Sequence, residues 1–327
     1  MTHVATLVCN QAAPILTEGL LRQAASALPR PQGTRWLDAG VAADIVFIPA
    51  EGTDAAALTE EVRAALGRAE VDVIIQEARG RRKKLLISDM DSTVIGQECI
   101  DELAAEIGLR RHVAAITERA MRGEIAFEPA LRERVALLRG LHPDIVLRVM
   151  SRTITLTPGA RSLVQTMRSH GAHTALVSGG FTVFTKLIAD RIGFNEDYAN
   201  QLALDADGCF SGDILEPILG REAKRATLRQ LRLEHGLSID ETMAVGDGAN
   251  DLAMLREAGL GVAFRGKPAV AAAMRARVDY ADLTALLYAQ GYRRDEFVEA
   301  RDDMLLEANL IDGVIDAVEG RSPGFMR

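Results

Sequence analysis

Four short apolar runs constrain this chain more than any other feature: "KKLLISD" (83–89), "AHTALVS" (172–178), "ETMAVGD" (241–247) and "GLGVAF" (259–264). Each is continuously apolar rather than alternating, and helix-patterned stretches separate them. A strand that is apolar on both faces must be covered on both faces. Such strands alternating with helices therefore predict an α/β fold, a Rossmann-like parallel sheet between helical layers. In sheets of that kind the functional crevice lies at the carboxyl ends of the strands. The first three runs end there on Asp89, Ser178 and Asp247.

Before this region, "HVATLVC", a helical stretch from Pro14 to Leu28, "TRWLDAG", "ADIVFIP", "AAALTEEVRAALGRA" and "VDVIIQE" read as β-α-β-β-α-β. That order is the ferredoxin-like split βαβ, and it predicts a small α+β domain over residues 1–80 that resembles ACT regulatory modules. Its first connection, "CNQAAPIL", lacks the glycine such modules use near a ligand. Residues 81–292 form the second predicted domain. Within it, about 97–156 is helix-patterned and too long for one crossover, so it reads as a helical cap inserted over the rim. "LALDADGCFSGDI" (202–214) reads as a hairpin. The basic cluster "RGRRKK" (79–84) reads as a solvated junction, and His170 and His173 as solvated neighbours of a glycine turn. The tail, 293–327, is acidic. Phe297, Met304, Ile311 and Val318 recur in it at seven-residue steps, an amphipathic helix pattern.

Composition removes several classes of function. A net charge of −8 over 327 residues disfavours a nucleic-acid partner, because phosphate backbones select basic surfaces. No apolar run approaches the roughly 20 residues that span a bilayer, which predicts no membrane segment. Three scattered cysteines, Cys9, Cys99 and Cys209, form no metal or disulfide spacing and fit a reducing, cytoplasmic setting. Cys99 by itself reads as a small buried hydrophobe. Monomer and homodimer both remain open.

The rim residues carry the chemistry. Side chains at i and i+2 of an extended backbone share a face, so Asp89 and Asp91 address one point. Two such carboxylates repel and call for a cation. "GDGAND" adds Asp247, with Asp251 opening the next helix. An all-oxygen set without histidine or thiolate suits Mg2+. In "VSGGF", small residues at a helix start expose backbone N–H groups to an anion. A Walker A lysine loop is absent from the sequence, which argues against nucleotide hydrolysis of that type. Lys224, in "REAKRATL", would by itself pass for a surface lysine.

Together "DMDST", "SGG", the helix-borne Lys224 and "GDGANDL" resemble, in order, the four motifs of the haloacid dehalogenase superfamily of phosphotransferases. The stretch "AMRGEIAFEPALRERVALLRG" (120–140) is similar to the cap signature of its phosphoserine-hydrolysing members. The resemblance covers about 85–292. It implies Asp89 as nucleophile and Asp91 as general acid and base. It also implies Mg2+ held by Asp89, Asp247 and the backbone carbonyl of Asp91, with Asp251 supporting. Ser178, Gly179, Lys224 and Asn250 would hold the phosphate. Glu98, Met121, Phe127 and Arg134 would form the substrate pocket. Glu98 suits an ammonium and Arg134 a carboxylate, so the pair matches phosphoserine. The expected activity is hydrolysis of O-phospho-L-serine through an aspartyl phosphate, the final step of serine biosynthesis. A phosphatase for another small phosphomonoester and an amino-acid-sensing regulator are the alternatives.

Overall fold

The computed structural model describes residues 2–121 and 124–299. In chain order the elements are β1 (His3–Cys9), α1 (Glu18–Ser26), β2 (Pro31–Asp38), β3 (Ala42–Phe47), α2 (Ala55–Leu66), β4 (Val71–Glu77) and β5 (Leu85–Ser88). Then come α3 (Cys99–Glu106), α4 (Arg110–Met121), α5 (Phe127–Ala136), α6 (Asp144–Arg152), α7 (Ala160–Ser169), β6 (His173–Phe181) and α8 (Thr182–Ile192). The chain continues through β7 (Glu196–Asn200), β8 (Leu202–Leu204), β9 (Phe210–Ile214), α9 (Arg221–Glu234), β10 (Thr242–Gly246) and α10 (Leu252–Glu257). It closes with β11 (Leu260–Phe264), α11 (Pro268–Ala273), β12 (Ala276–Val278) and α12 (Ala285–Ala289). Of the amphipathic tail pattern, Met304, Ile311 and Val318 lie outside the described residues.

Two larger sheets result. The order β2-β3-β1-β4, with β1–β3, β1–β4 and β2–β3 all antiparallel, is the ferredoxin-like arrangement expected from the first 80 residues. The order β12-β11-β10-β5-β6-β7 is the expected α/β sheet, and β10–β11, β11–β12 and β6–β7 pair parallel. The edge strands β7 and β12 were not anticipated. "EDYAN" and "ARV" carry no apolar run, because an edge strand need not be buried on both faces. The remaining pair, β8–β9, is the expected hairpin.

By contacts the chain divides into two units. Among the described residues the first holds 2–87, 157–174 and 228–299. One face of its antiparallel sheet (Leu7, Ile45, Phe47, Val73, Ile75) packs on Leu21 and Ala24 of α1 and Leu58 and Val62 of α2. Thr17 and Asp54 cap those helices by accepting the N–H groups of Leu20 and Ala56. Asp72, on β4, is buried and ties this sheet to the segment after β12. Its carboxylate accepts N–H groups of Asp279 (2.7 Å), Tyr280 (3.2 Å) and Ala281 (2.8 Å). Tyr288 of α12 donates to Asp38 at 2.7 Å, and Gln76 to the Ala289 carbonyl at 2.7 Å.

The basic cluster is only in part the solvated junction the sequence suggested, since Arg79, Arg82 and Lys84 are exposed but Arg81 and Lys83 are not. Arg81 makes a two-pronged pair with buried Asp44, at 3.0 and 2.5 Å, and its guanidinium is largely covered. Lys83 is buried, its ammonium donating to the Asp240 carbonyl at 2.7 Å. Arg82 stacks on the Tyr292 ring at 4.1 Å. Each of these three cations has a partner brought in from far along the chain. His173 likewise is half-buried with its ring 4.2 Å from that of His235, whereas His170 is exposed beside Tyr292.

The second unit holds 88–156 and 175–227 among the described residues. Helices α3 to α6 share a core that includes Leu103, Val113, Ile116, Leu131, Val135 and Val149. The two stems of this insertion are tied where Ile95 bridges Leu156 and the Gly96 N–H meets the Thr155 carbonyl at 3.1 Å. The β8–β9 hairpin braces α5 and the turn after it. Gly140 donates to the Phe210 carbonyl at 2.8 Å, and Phe210 donates back to Leu141 at 2.9 Å. Gly212 sits at φ +82°, and a side chain there would meet Arg139 at 3.1 Å.

Candidate active site

Asp89 directly follows β5, whose four residues are all buried. Its carboxylate is nearly covered, as is the Lys224 side chain from α9, and the two meet at 2.6 Å. Lys224 is therefore no surface lysine. It is the fourth residue of α9 and points inward with 1% exposure. A buried pair of this kind persists only where both charges are mutually satisfied.

Asp91 lies two residues on and is half-buried. Ser92 after it has φ +56°, an unusual value for a non-glycine residue, and its N–H closes on the Gln97 carbonyl at 3.2 Å. Such backbone strain, of about 1–3 kcal/mol, is typically retained where it aims a side chain. One oxygen of Asp91, Oδ1, accepts the Cys99 N–H at 3.3 Å. The other, Oδ2, faces the Gly180 turn, where a β-carbon would meet it at 3.3 Å. Burial first and the negative Glu98 second push the Asp91 carboxyl up to about 7, against the pull of Cys99 and Lys224.

The turn "SGG" closes β6 and leads into α8. Ser178 is buried, and its Oγ accepts the Gly180 N–H at 2.9 Å, so its own hydroxyl hydrogen is directed elsewhere. No side chain caps α8 at Phe181. Asn200, at the end of β7, is buried and holds the turn by donating to the Gly179 carbonyl at 2.9 Å. Sequence reasoning missed Asn200, because "EDYAN" gave no strand whose end could be placed.

On the first unit, Asp247 follows β10, the neighbour of β5 in the sheet order. Asp251 is fully buried and accepts the Gly248 N–H at 3.0 Å, which fixes the "GDGAND" loop. Both glycines are required there. A β-carbon on Gly246 would lie 2.5 Å from the Asp251 carboxyl, and one on Gly248 2.2 Å from Asn250. Lys267, another residue sequence reasoning missed, pairs with Asp247 at 3.2 Å and donates its N–H to the Asp247 carbonyl at 3.0 Å. It lies 20 positions after Asp247, with nothing in its spacing to mark it. Asp247 and Asp251, both buried on this unit, are a carboxylate set of the kind that could help hold a metal ion. With oxygen donors alone, the set fits a hard divalent cation rather than a soft one.

The expected pocket residues fall on the helical insertion. Glu98 is the N-cap residue of α3 and accepts the Ser92 hydroxyl at 2.9 Å. Arg134, on α5, donates to the Ala130 carbonyl (3.2 Å) and the Thr117 hydroxyl (3.4 Å). Burial lowers its pKa first, and the negative charges of Asp101 and then Glu98 oppose that. Asp101 was not anticipated. Phe127 opens α5 and is 40% exposed; a side chain on Gly179 or Gly220 would meet its ring at 3.7 or 3.5 Å. Met121 ends α4, and its side chain is outside the described structure.

Residues 86–256 match the family model of haloacid dehalogenase-like hydrolases. The chain belongs to that family. A probable phosphoserine phosphatase of Schizosaccharomyces pombe is 45% identical over 211 residues, 64% of this chain and 70% of that one. A phosphoserine phosphatase of Streptomyces coelicolor is 41% identical over 241 residues, 74% of this chain. The chain spans only 58% of the Streptomyces protein's length. Among solved structures, a HAD-family hydrolase from Salmonella enterica serovar Typhi superposes with a TM-score of 0.79 at 26% identity, over 88% of this chain and 98% of that one. Among the described residues no helix is long and apolar enough to cross a membrane.

Proposed function

We propose that this chain is a Mg2+-dependent phosphatase that hydrolyses O-phospho-L-serine to L-serine and phosphate. The observation that carries the reading is the division of labour between two neighbouring carboxylates. Asp89 is paired with a buried ammonium, which keeps it ionised and nucleophilic. Asp91 has its carboxyl pushed up to about 7, where it both gives and takes a proton.

In the first half-reaction a carboxylate oxygen of Asp89 forms a bond to phosphorus as the bond from phosphorus to the serine Oγ breaks. The proton of Asp91 goes to that Oγ, because an alkoxide is a poor leaving group. In the second, water attacks phosphorus and loses its proton to Asp91, and the Asp89–phosphorus bond breaks to free phosphate. Ser178, Gly179, Lys224 and Asn250 hold the phosphoryl oxygens, Ser178 with the hydroxyl hydrogen that its bond from Gly180 leaves available. Asp89, Asp247 and the Asp91 backbone carbonyl would hold Mg2+ with Asp251 behind them, and the ion when bound supplies charge neutralisation at the transferring group. Glu98 takes the substrate ammonium and Arg134 its carboxylate, with Met121 and Phe127 over the stem. The names of the two relatives support phosphoserine in particular. A small-molecule substrate, without nucleic acid or membrane, and a cytoplasmic location complete the proposal.

The test is phosphate release from a panel of amino-acid and sugar phosphates, with Mg2+ and with chelator. The expected result is a kcat/KM for phosphoserine at least about tenfold above any other member, a gap of about 1.4 kcal/mol in barrier, and loss of turnover in chelator. Preference for another phosphomonoester would overturn the substrate assignment. Turnover undiminished by chelator would overturn the metal.

A further inference from the structure

We propose that Lys267 is a tethered cation on Asp247, one that holds this carboxylate in the metal-free protein and weakens the hold on the divalent ion that displaces it. The inference rests on the assignment of Asp247 as a ligand of Mg2+ and adds a residue that sets how tightly the ion is bound.

The backbone places Lys267 with little freedom. β11 ends at Phe264, and Arg265 turns the chain at φ +44°, a left-handed value that a non-glycine residue adopts at a cost. The turn is held where the Arg265 N–H meets the carbonyl of Val278, in β12, at 2.7 Å. Gly266 is closely packed, and a β-carbon there would lie 3.2 Å from that of Ala263. Lys267 is then the N-cap residue of α11, with Pro268 in the first helical turn. Its carbonyl accepts the N–H groups of Val270 (2.8 Å) and Ala271 (3.0 Å), and its own N–H donates to the Asp247 carbonyl at 3.0 Å. From that fixed base the side chain returns to the same residue, its Nζ 3.2 Å from Asp247 Oδ2. One lysine thus holds one aspartate twice, by its backbone and by its charge. An incidental surface pair has no such anchoring.

Exposure decides what the pair can do. The Asp247 side chain is 7% exposed and that of Lys267 is 48%. A covered carboxylate needs a counter-charge, since an isolated one is costly to keep out of water. The half-exposed ammonium supplies that charge. With much of its surface already in water, it also leaves at small cost. A buried ammonium such as that of Lys224, at 1% exposure, has no such reserve of solvation. The affinity of a carboxylate set for a hard cation follows the charge of its ligands. Lys267 opposes the ion in two ways: it must give up Asp247 Oδ2, and its charge stays near on a short tether. In return the metal-free protein keeps Asp247 compensated and aimed.

Metal binding is read directly, without substrate. Mn2+ is titrated into metal-free protein, with the free ion followed by electron paramagnetic resonance, and Mg2+ affinity is read from displacement of Mn2+. Lys267→Met keeps most of the stem and removes the charge, Lys267→Arg keeps the charge, and both retain the backbone bond to Asp247. The expected dissociation constants are about tenfold lower in Met than in wild type, and within about threefold of wild type in Arg. Metal-free Met should also unfold at lower urea than wild type, and equal free Mg2+ should stabilise it by more, as tighter binding to the folded state requires. Affinity unchanged or weaker in Met, or Arg as tight as Met, would overturn the proposal in favour of an ordinary surface pair. Asp247→Asn separates this proposal from the metal assignment beneath it, since it should weaken Mn2+ binding by at least about 100-fold. If it does not, Asp247 is no ligand and both fall. Should Met fail to fold, Lys267→Gln takes its place.

Discussion

Lys224 and Asp89 form a buried ion pair whose energetic weight can be measured directly. Replacing Lys224 with methionine keeps most of the stem's volume and deletes the ammonium 2.6 Å from Asp89 Oδ1. With side-chain exposures of 1% and 6%, solvent does little to compensate the carboxylate left behind. Breaking a buried pair from one side costs about 3–5 kcal/mol, most of it the stranded charge. Asp89→Asn strands the ammonium instead, at a similar cost. In the double variant neither charge remains, so its loss should fall short of the summed single losses by at least about 1.5 kcal/mol. Urea denaturation of all four proteins reads this, with chelator present throughout so that differing metal affinity does not enter. The slopes should stay equal, which certifies that the midpoints report stability. Lys224→Met should also lower kcat by about 10²–10³-fold, as for loss of one oriented charge at a transition state. Single losses that add to within about 0.5 kcal/mol would mean the two groups do not interact energetically, and the claim that Lys224 holds Asp89 ionised would fail.

Asp91→Asn should still form phosphoenzyme from p-nitrophenyl phosphate but release phosphate slowly, and should be slow in both half-reactions with phosphoserine; equal losses in every step would remove the acid–base role. Glu98→Gln and Arg134→Ala should each lower kcat/KM for phosphoserine by roughly 30-fold or more, since each strands a charge of the ligand, with far smaller effects on p-nitrophenyl phosphate. Burial pushes the Asp72 carboxyl from 3.8 up to about 6, against the pull of the Ala281, Asp279 and Tyr280 N–H groups. The native state then binds more protons than the unfolded state between about pH 4 and 6, so this group's ionisation lowers stability by up to about 3 kcal/mol as pH rises through that window. Asp72→Asn should remove that component of the slope in denaturation midpoints taken from about pH 4 to 7; an unchanged slope would refute it.

What was legible in the sequence follows a physical division. Asp89, Ser178 and Asp247 could be placed because each directly follows an apolar run, and the period of a strand and the rule for crevices in α/β sheets do the rest. The six-strand sheet was legible in its buried interior strands for the same reason. Its edge strands were not, since β7 and β12 bury too little to leave an apolar signature. The ferredoxin-like domain was legible throughout, as its alternating helices and strands are all long enough to show a period.

Charge was where local reading failed. Arg81, Lys83 and Lys224 all sit in sequence contexts rich in charge, and local context argues for solvent in each case. Their burial is decided by partners 37, 157 and 135 positions away: the Asp44 carboxylate, the Asp240 carbonyl and Asp89. Only Lys224 was rescued, and by its place in a motif rather than by physics. Cys99 shows the same limit at short range. The expected small buried hydrophobe is what the structure shows in its burial. Nothing local shows that Glu98 turns its side chain to Ser92 or that the Cys99 N–H at the start of α3 is met by Asp91. A hydrophobic pattern records how much water a position avoids. It does not record which polar group waits there, and in this chain that second fact decides how the site is assembled.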